Sequence, residues 1–396
     1  MLASTRIRRA SDIPTSYDVI VIGAGSMGMS AGYHLAKHNV RALLIDKFDP
    51  PHLSGSHHGD TRLIRHAYTG SLTYTAMALR ADQLWQELEA ASGKSLLVRS
   101  GVLNMGPADS GSLEQKWKTT EAFGLQVERL DADEIRKRWP GIEPPEFYEG
   151  LYEQEAGFLY SEACIRAYRQ QALALGARLL LNTQVTRIHI WSSGVTVHTA
   201  DGSYHADQLI LCAGAWFREI DSVIRLPIRS VRKAVAWFEA DEALYDVSRF
   251  PGFTFAGPNG GGFYGFPSIG GSGVKIGRHD AGQLWQPGSP FESFGHYDDD
   301  ERDLRDALQA FLPQAAGRVL REAVCKYELT PDEQFIIDRH PEHHHVLIAG
   351  GFSGHGFKFA SVVGEILSDL TRNGRTEHDI SPFALSRFQQ HHVYLR

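Results

Sequence analysis

The first patterned stretch of the chain is apolar in runs rather than in alternation. YDVIVIGAGSMGMSAGYHLAKHNVRALLIDK, from Tyr17 to Lys47, reads as an apolar strand, a glycine turn, a helix and a second apolar strand. Runs such as VIVI and ALLID suit parallel strands covered on both faces. From about Tyr74 to Ala91 apolar residues recur at three- and four-residue spacing, which predicts a helix, and KSLLVRSGVLNMG then predicts strands. SEACIRAYRQQALALGARLLLNTQV is helix followed by strand. GVTVHTADGSYHADQLILCAGAW is a hairpin turning at Asp201-Gly202 into an apolar strand.

Between about Arg225 and Arg318 the character changes. Aromatic and polar residues alternate among many glycines (VAWFEA, GGFYGFPSIGGSGVKIG), which favours antiparallel sheet. After Val319 the strand–turn–helix style returns and ends in HHVLIAGGFSGHGFKFASVVGEILSDLTRNG. The expected fold is α/β (α+β, two-domain). A Rossmann-like dinucleotide-binding domain is assembled from residues 17–90, 150–224 and 319–390, and a mainly antiparallel β substrate domain is inserted as residues 91–149 and 225–318. Residues 1–16 are basic and polar. They read as a disordered arm, with an organellar presequence as the alternative.

A length of 396 residues is compatible with two or three domains, and 42% hydrophobic with 22% charged residues is ordinary for a folded, soluble protein. A net charge of −7 argues against nucleic acid as a partner, which requires a basic surface. Three scattered cysteines, Cys164, Cys212 and Cys325, make neither a disulfide framework nor a zinc site and fit a reducing compartment. No apolar run approaches the roughly 20 residues that span a bilayer, no secretory h-region is present, and the C-terminal VYLR is not a peroxisomal address. The expectation is cytoplasmic, with no membrane partner.

Gly23, Gly25 and Gly28 form G-x-G-x-x-G between a predicted strand and a predicted helix, with Asp46 ending the next strand. The first glycine makes the turn, the second admits a pyrophosphate close to the backbone, and the third lets the helix pack. The helix N-terminus then faces the negative charge, and Asp46 is placed to accept from the adenosine ribose. That context makes dinucleotide binding the reading, without separating NAD from FAD. The polar stretch GSHHGDTRLIRHAY is either a solvated connection or a source of backbone donors and cations along a flavin. In GGFSGHGFKFASVVGEI, Gly354 and Gly356 belong to a second glycine-rich turn opening a helix, a place that would suit an anionic reduced ring.

Taken together, GAGSMGMSAGYHLAKH, FDPPHLSGSHHGDTRLIRHAY, RWPGI, FYGFP, VKIGRH, AVCKY, DEQFIID and GFSGHGFKFAS resemble the monomeric sarcosine oxidase and N-methyl-L-tryptophan oxidase family, in order, from about Tyr17 to Phe388. The resemblance implies an FAD enzyme that oxidises the N-methyl group of an amino acid and yields the amino acid, formaldehyde and hydrogen peroxide. It implies covalent attachment of the flavin 8α-methyl group to Cys325, leaving Cys164 and Cys212 as small buried hydrophobes. It assigns Arg65 and Lys358 to the substrate carboxylate, Tyr264 and Tyr327 to the substrate cavity, and His58 and Arg62 to the flavin ring. Lys275 is the implied oxygen-activating lysine and His279 a nearby active-site histidine. Ser56, His57 and Thr61 are implied flavin contacts, with Gly354 and Gly356 also expected at the cofactor. As bare residue types, each of these would read as a surface charge or a packing aromatic.

The histidine groups EHHHV (342–346) and QQHHV (389–393) lack a spaced carboxylate or third ligand and read as loop histidines, so no metal is expected. One departure from the family is visible: a Gly-Glu pair is common after HAY, whereas this chain has HAYTGSLTY. RSGVLNMGPADS, VRKAVAWFEAD and SPFALSRFQ look like the N-methyltryptophan branch, and GFPSIGGSGVKIGRH like the sarcosine branch. The expected activity is N-methyl-L-tryptophan oxidase, then sarcosine oxidase. A nicotinamide-dependent dehydrogenase and a histidine-rich metal binder are the distant alternatives. The expected partners are the N-methyl amino acid and molecular oxygen, with the enzyme a monomer.

Overall fold

The computed structural model describes residues 14–69, 72–257 and 260–391. The expected basic arm lies outside these residues except for its last three, of which Ser16 already begins the first strand, Ser16–Ile22. That strand runs between Ala42–Ile45 and Gly202–Leu211, parallel to both, and Arg178–Leu180 continues the parallel set beyond Ala42–Ile45. Val346–Gly350 lies parallel to the last residues of Gly202–Leu211. Gly194–Thr199 folds back antiparallel on its first residues, with Thr199 opposite Gly202 at the expected hairpin, and Val185–Trp191 pairs antiparallel beyond it.

The apolar runs are explained by cover on both faces. Val19, Val21 and Leu44 meet Met29 and Leu35 of the helix Ser26–Lys37 together with Val363 and Ile366 of the helix Ala360–Asn373. Their neighbours Ile20, Ile22, Leu43 and Ile45 face the opposite way, into a core with Leu209 and Leu211. Period-two side chains in a doubly covered strand leave no position for a polar residue.

A second sheet of nine strands has the order Gln283–Trp285, Arg229–Phe238, Val274–Arg278, Gly262–Phe266, Gly252–Ala256, Val102–Pro107, Tyr148–Glu153, Val127–Asp131, with Val319–Leu329 also beside Arg229–Phe238. Every pairing in it is antiparallel except that of Gly252–Ala256 with Val102–Pro107. Leu304, Leu308 and Phe311 of the helix Asp299–Phe311 cover it. Residues 319–329 and 150–153, expected with the nucleotide-binding domain, hydrogen-bond here instead. Val319–Leu329 pairs along its whole length with Arg229–Phe238, and Tyr148–Glu153 sits between Val102–Pro107 and Val127–Asp131. The reason is in the residues: Arg321 and Glu322 are exposed, which a strand covered on both faces forbids and an antiparallel sheet with one solvated face accepts. Cys325 is therefore a residue of the second sheet. A small third sheet joins Thr61–Ile64, Gly157–Tyr160 and Leu97–Val98.

Candidate active site and cofactor cleft

The glycine turn has the shape its sequence requires. Gly23 holds φ +89°, and a Cβ there would strike the Cys212 carbonyl; a Cβ on Gly28 would strike the carbonyl oxygen of Gly23. Above Gly25, by contrast, a Cβ would meet only His57 Nδ1 at 3.7 Å, so the backbone is open to a ligand. Gly25 caps the helix Ser26–Lys37 without a side-chain hydrogen bond, and the first turn carries no acid. Unpaired N–H groups and open space are what a pyrophosphate needs. Asp46 is buried beside them, its carboxylate accepting from the amides of Ala24 at 2.7 Å and Phe48 at 2.8 Å, with His52 Nε2 at 3.4 Å. These residues fit a dinucleotide.

The cleft does not stop at the nucleotide. Ser26, Met27, Ser56, Glu328 and Phe352 border both this cleft and a second cavity of about 570 Å³. The loop between them is tied by Arg62, whose guanidinium donates to the carbonyls of Ser56 and His58, both at 2.7 Å, and of Thr61 at 2.8 Å. His57 and His58 are buried in this loop. Burial and neighbouring imidazole and guanidinium groups hold His57 well below the usual histidine range, and burial followed by Arg62 brings His58 down to about 4. Both are neutral at pH 7, and His58 Nε2 has no hydrogen-bond partner among the described residues. The Thr61 hydroxyl accepts from Lys275.

Lys275, on Val274–Arg278, is buried beneath that loop. Its ammonium donates to Gly59 O at 2.5 Å and to Thr61 O and Oγ1 at 3.2 Å, over the rings of Phe266 and Trp237. Burial, then Arg62, pulls its pKa well below the usual lysine range. It borders a different cavity, with Asp60, Glu162 and Trp237, from the one that holds Arg65 and Lys358.

The second cavity gathers Arg65, Tyr264, His279, Tyr327 and Lys358 from four separate parts of the sequence. Arg65 donates to Asn104 Oδ1 and, at 3.4 Å, to Thr254 Oγ1. Lys358 donates to the Tyr68 hydroxyl at 2.7 Å and His355 O at 2.9 Å. Burial and the charge of Arg65 depress the pKa of Lys358. Two cations close enough to oppose each other, both held by neutral acceptors, could bind a carboxylate. The Tyr264 and Tyr327 hydroxyls are 3.5 Å apart, and burial raises Tyr264 to about 12. His279, 5.6 Å from the Tyr327 ring, is lowered to about 4 by burial and then by Lys233, Arg65 and Lys358. Gly354 lies against the Tyr327 ring, and Gly356 precedes a 3-10 turn, Phe357–Phe359, that delivers Lys358 before the helix Ala360–Asn373 begins.

Cys325 is buried, with Lys233 opposite it in the ladder. Burial raises its pKa against the opposing influence of Arg62, Lys275, Lys233 and Lys326. Cys164 and Cys212 are also free and buried, without comparable cation neighbours, and burial raises both thiols. Sequence reasoning missed Asn104, Tyr68, Lys233 and Glu328. Glu328 directly follows AVCKY and reaches both cavities; burial lifts its carboxyl to about 7. Among the described residues no helix is long and apolar enough to cross a membrane.

Comparison with known proteins accords with this geometry. The family model for FAD dependent oxidoreductases matches residues 18–370. The chain is 50% identical over 378 residues to the monomeric sarcosine oxidase of Bacillus sp. (strain B-0618), covering 94% of this chain and 96% of that protein. It is 44% identical over 374 residues to the N-methyl-L-tryptophan oxidase of Salmonella enteritidis PT4 (strain P125109), covering 94% and 100%. In fold it resembles NikD, an unusual amino acid oxidase, with a TM-score of 0.82 at 24% identity over 94% of this chain and 98% of that one. The chain belongs to the FAD-dependent oxidoreductase family, in the group of the monomeric sarcosine and N-methyl-L-tryptophan oxidases, and FAD is its cofactor.

Proposed function

We propose that the protein is an oxidase of N-methyl amino acids that releases the amino acid, formaldehyde and hydrogen peroxide. The observation that carries this is the pair Arg65 and Lys358: two cations held by neutral acceptors in a cavity that runs into the dinucleotide cleft. The chemistry supplied by bound FAD is acceptance of a hydride equivalent from the N-methyl carbon and its delivery to oxygen as hydrogen peroxide; water then splits the imine into formaldehyde and primary amine.

The chain's residues do the rest. Arg65 and Lys358 bind the substrate carboxylate and thereby fix the amine. His279, neutral at pH 7, adds no charge against the substrate nitrogen, and Tyr264 and Tyr327 wall the cavity against water. Arg62 and His58 border the ring site, and Ser56, His57, Thr61, Gly354 and Gly356 shape the cleft around it. Lys275 lies beside another cavity and supplies a positive charge where oxygen is reduced. Cys325, buried among Arg62, Lys275, Lys233 and Lys326, is the residue that would hold the cofactor covalently through its 8α-methyl group.

The protein acts as a cytoplasmic monomer on a small molecule, without nucleic acid or membrane. Both relatives' substrates, sarcosine and N-methyl-L-tryptophan, are candidates. Higher identity to a sarcosine oxidase offsets the expectation of the tryptophan derivative. The test is peroxide release from the purified yellow protein across a panel of N-methyl amino acids. A colourless protein that reduces a nicotinamide cofactor instead would overturn the reading.

A further inference from the structure

We infer that Lys116 forms a second anion subsite in the substrate cavity, selecting an N-methyl amino acid whose side chain itself carries a carboxylate. The inference rests on the amine-oxidase reading and names its substrate class.

Lys116 sits on the helix Gly111–Phe123, which brings Ser110, Ser112, Leu113 and Lys116 to the wall of the cavity that contains Arg65 and Lys358. A lysine on a helix surface ordinarily extends its ammonium into water. Here the residue is half-buried and lines the cavity, and among the described residues no carboxylate lies within ion-pair distance of it. Its electrostatic neighbours are Arg65, which opposes its charge, and Glu153, which supports it; with burial the largest influence, its pKa falls to about 7. Glu153 is already engaged by the His66 ring and by the amides of His66 and Ala67. Of the other acids on the wall, Asp332 is held by Arg387, Glu333 is exposed, and burial lifts the Glu328 carboxyl to about 7. Ser110, at the N-terminus of the same helix, also lines the cavity.

Two cations suffice for one α-carboxylate. The third is left without an anion in a partly dry cavity, where an unpaired charge is costly. A bare methylglycine leaves Lys116 unmatched, and an indole both leaves it unmatched and removes its water. A side-chain carboxylate satisfies Lys116.

The test compares kcat/KM, from peroxide release, for N-methyl-L-aspartate, N-methyl-L-glutamate, sarcosine and N-methyl-L-tryptophan. One of the two acidic substrates is expected to be best. In Lys116→Met the ratio of acidic substrate to sarcosine should fall about tenfold to a hundredfold, the worth of one charge-assisted contact. Lys116→Arg should keep most of the preference. Perturbation of the flavin absorbance gives binding without turnover: glutarate should bind wild type more tightly than butyrate, and Lys116→Met should erase the difference. A wild type that prefers sarcosine or N-methyl-L-tryptophan overturns the inference, as does an unchanged ratio in Lys116→Met. Absence of peroxide from every N-methyl amino acid defeats the amine-oxidase reading itself.

Discussion

Lys233 and Cys325 stand directly opposite each other across the antiparallel ladder of Arg229–Phe238 and Val319–Leu329. Opposed residues in such a ladder project from the same face. Burial pushes the two groups toward neutrality from opposite sides: it raises the thiol, and it lowers the amine to about 8. Each favours the other's charged form, and Lys233 is anchored by the carbonyls of His279, at 2.6 Å, and Ala281. A thiol so placed is kept protonated at rest, with cations ready to stabilise the thiolate when it forms.

Flavin should therefore remain with the polypeptide after acid precipitation. Cys325→Ser should release it, whereas Cys164→Ser and Cys212→Ser should retain it. Lys233→Met, which removes a cation from beside the sulfur, should slow attachment during reconstitution of flavin-free protein and shift its pH dependence upward. Free release of flavin from the wild type would show that no tether forms.

Loss of one carboxylate-binding cation should appear mainly as weaker binding. Lys358→Met removes a charge that Tyr68 and the His355 carbonyl hold in place. The affinity for a monocarboxylate inhibitor should drop about tenfold to a hundredfold, from roughly 1.5–3 kcal/mol for a charge-assisted bond. Unchanged inhibitor affinity would remove Lys358 from the substrate site.

Lys275 borders a different cavity from the one that holds Arg65 and Lys358, so its effect should separate too. Reduction of oxygen places negative charge beside the ring, and a fixed cation there is typically worth about 10²–10³ in rate. Lys275→Met should slow reoxidation by about that factor and leave anaerobic reduction by substrate much less altered. Stopped-flow mixing measures the two halves separately. Equal slowing of both would reduce Lys275 to a support for Gly59 and Thr61.

His66 gives a pH signature in stability. Its ring lies between Glu153 and Asp82, with Nε2 2.9 Å from the latter. Burial lowers its pKa, but hydrogen bonds and the charges of these two acids outweigh burial and raise it from 6.5 to about 9. A folded pKa above the unfolded one means stability fully present below pH 6.5 and lost as pH rises through about 9. The shift corresponds to something on the order of 2–4 kcal/mol. Denaturant unfolding of wild type and His66→Gln should show the largest gap below pH 6.5 and a narrowing gap by pH 10. A gap independent of pH would mean His66 acts by packing alone.

The parts of this molecule legible in the sequence are those whose signal is local. VIVI and ALLID announce doubly covered strands, and Gly23, Gly25 and Gly28 sit where their backbone requires them. The proposed site is not local. Arg65 is set by Asn104 and Thr254, 39 and 189 residues away, and no periodicity joins them. Lys233, in VRKAV, reads as an ordinary strand charge until its partner strand is known. Val319–Leu329 has strand character in sequence, but which sheet it joins depends on Arg229–Phe238, nearly a hundred residues earlier. Cys325 owed its assignment to family resemblance, and its ring of cations appears only in three dimensions.

The most direct measurement is the stoichiometry of products during turnover of an N-methyl amino acid by the purified enzyme. Oxygen consumed, hydrogen peroxide formed and formaldehyde formed should stand in equal amounts, because the carbon oxidised is the N-methyl carbon. Peroxide in full yield without formaldehyde, accompanied by methylamine and a keto acid, would place oxidation at the α-carbon and contradict the orientation assigned to Arg65 and Lys358.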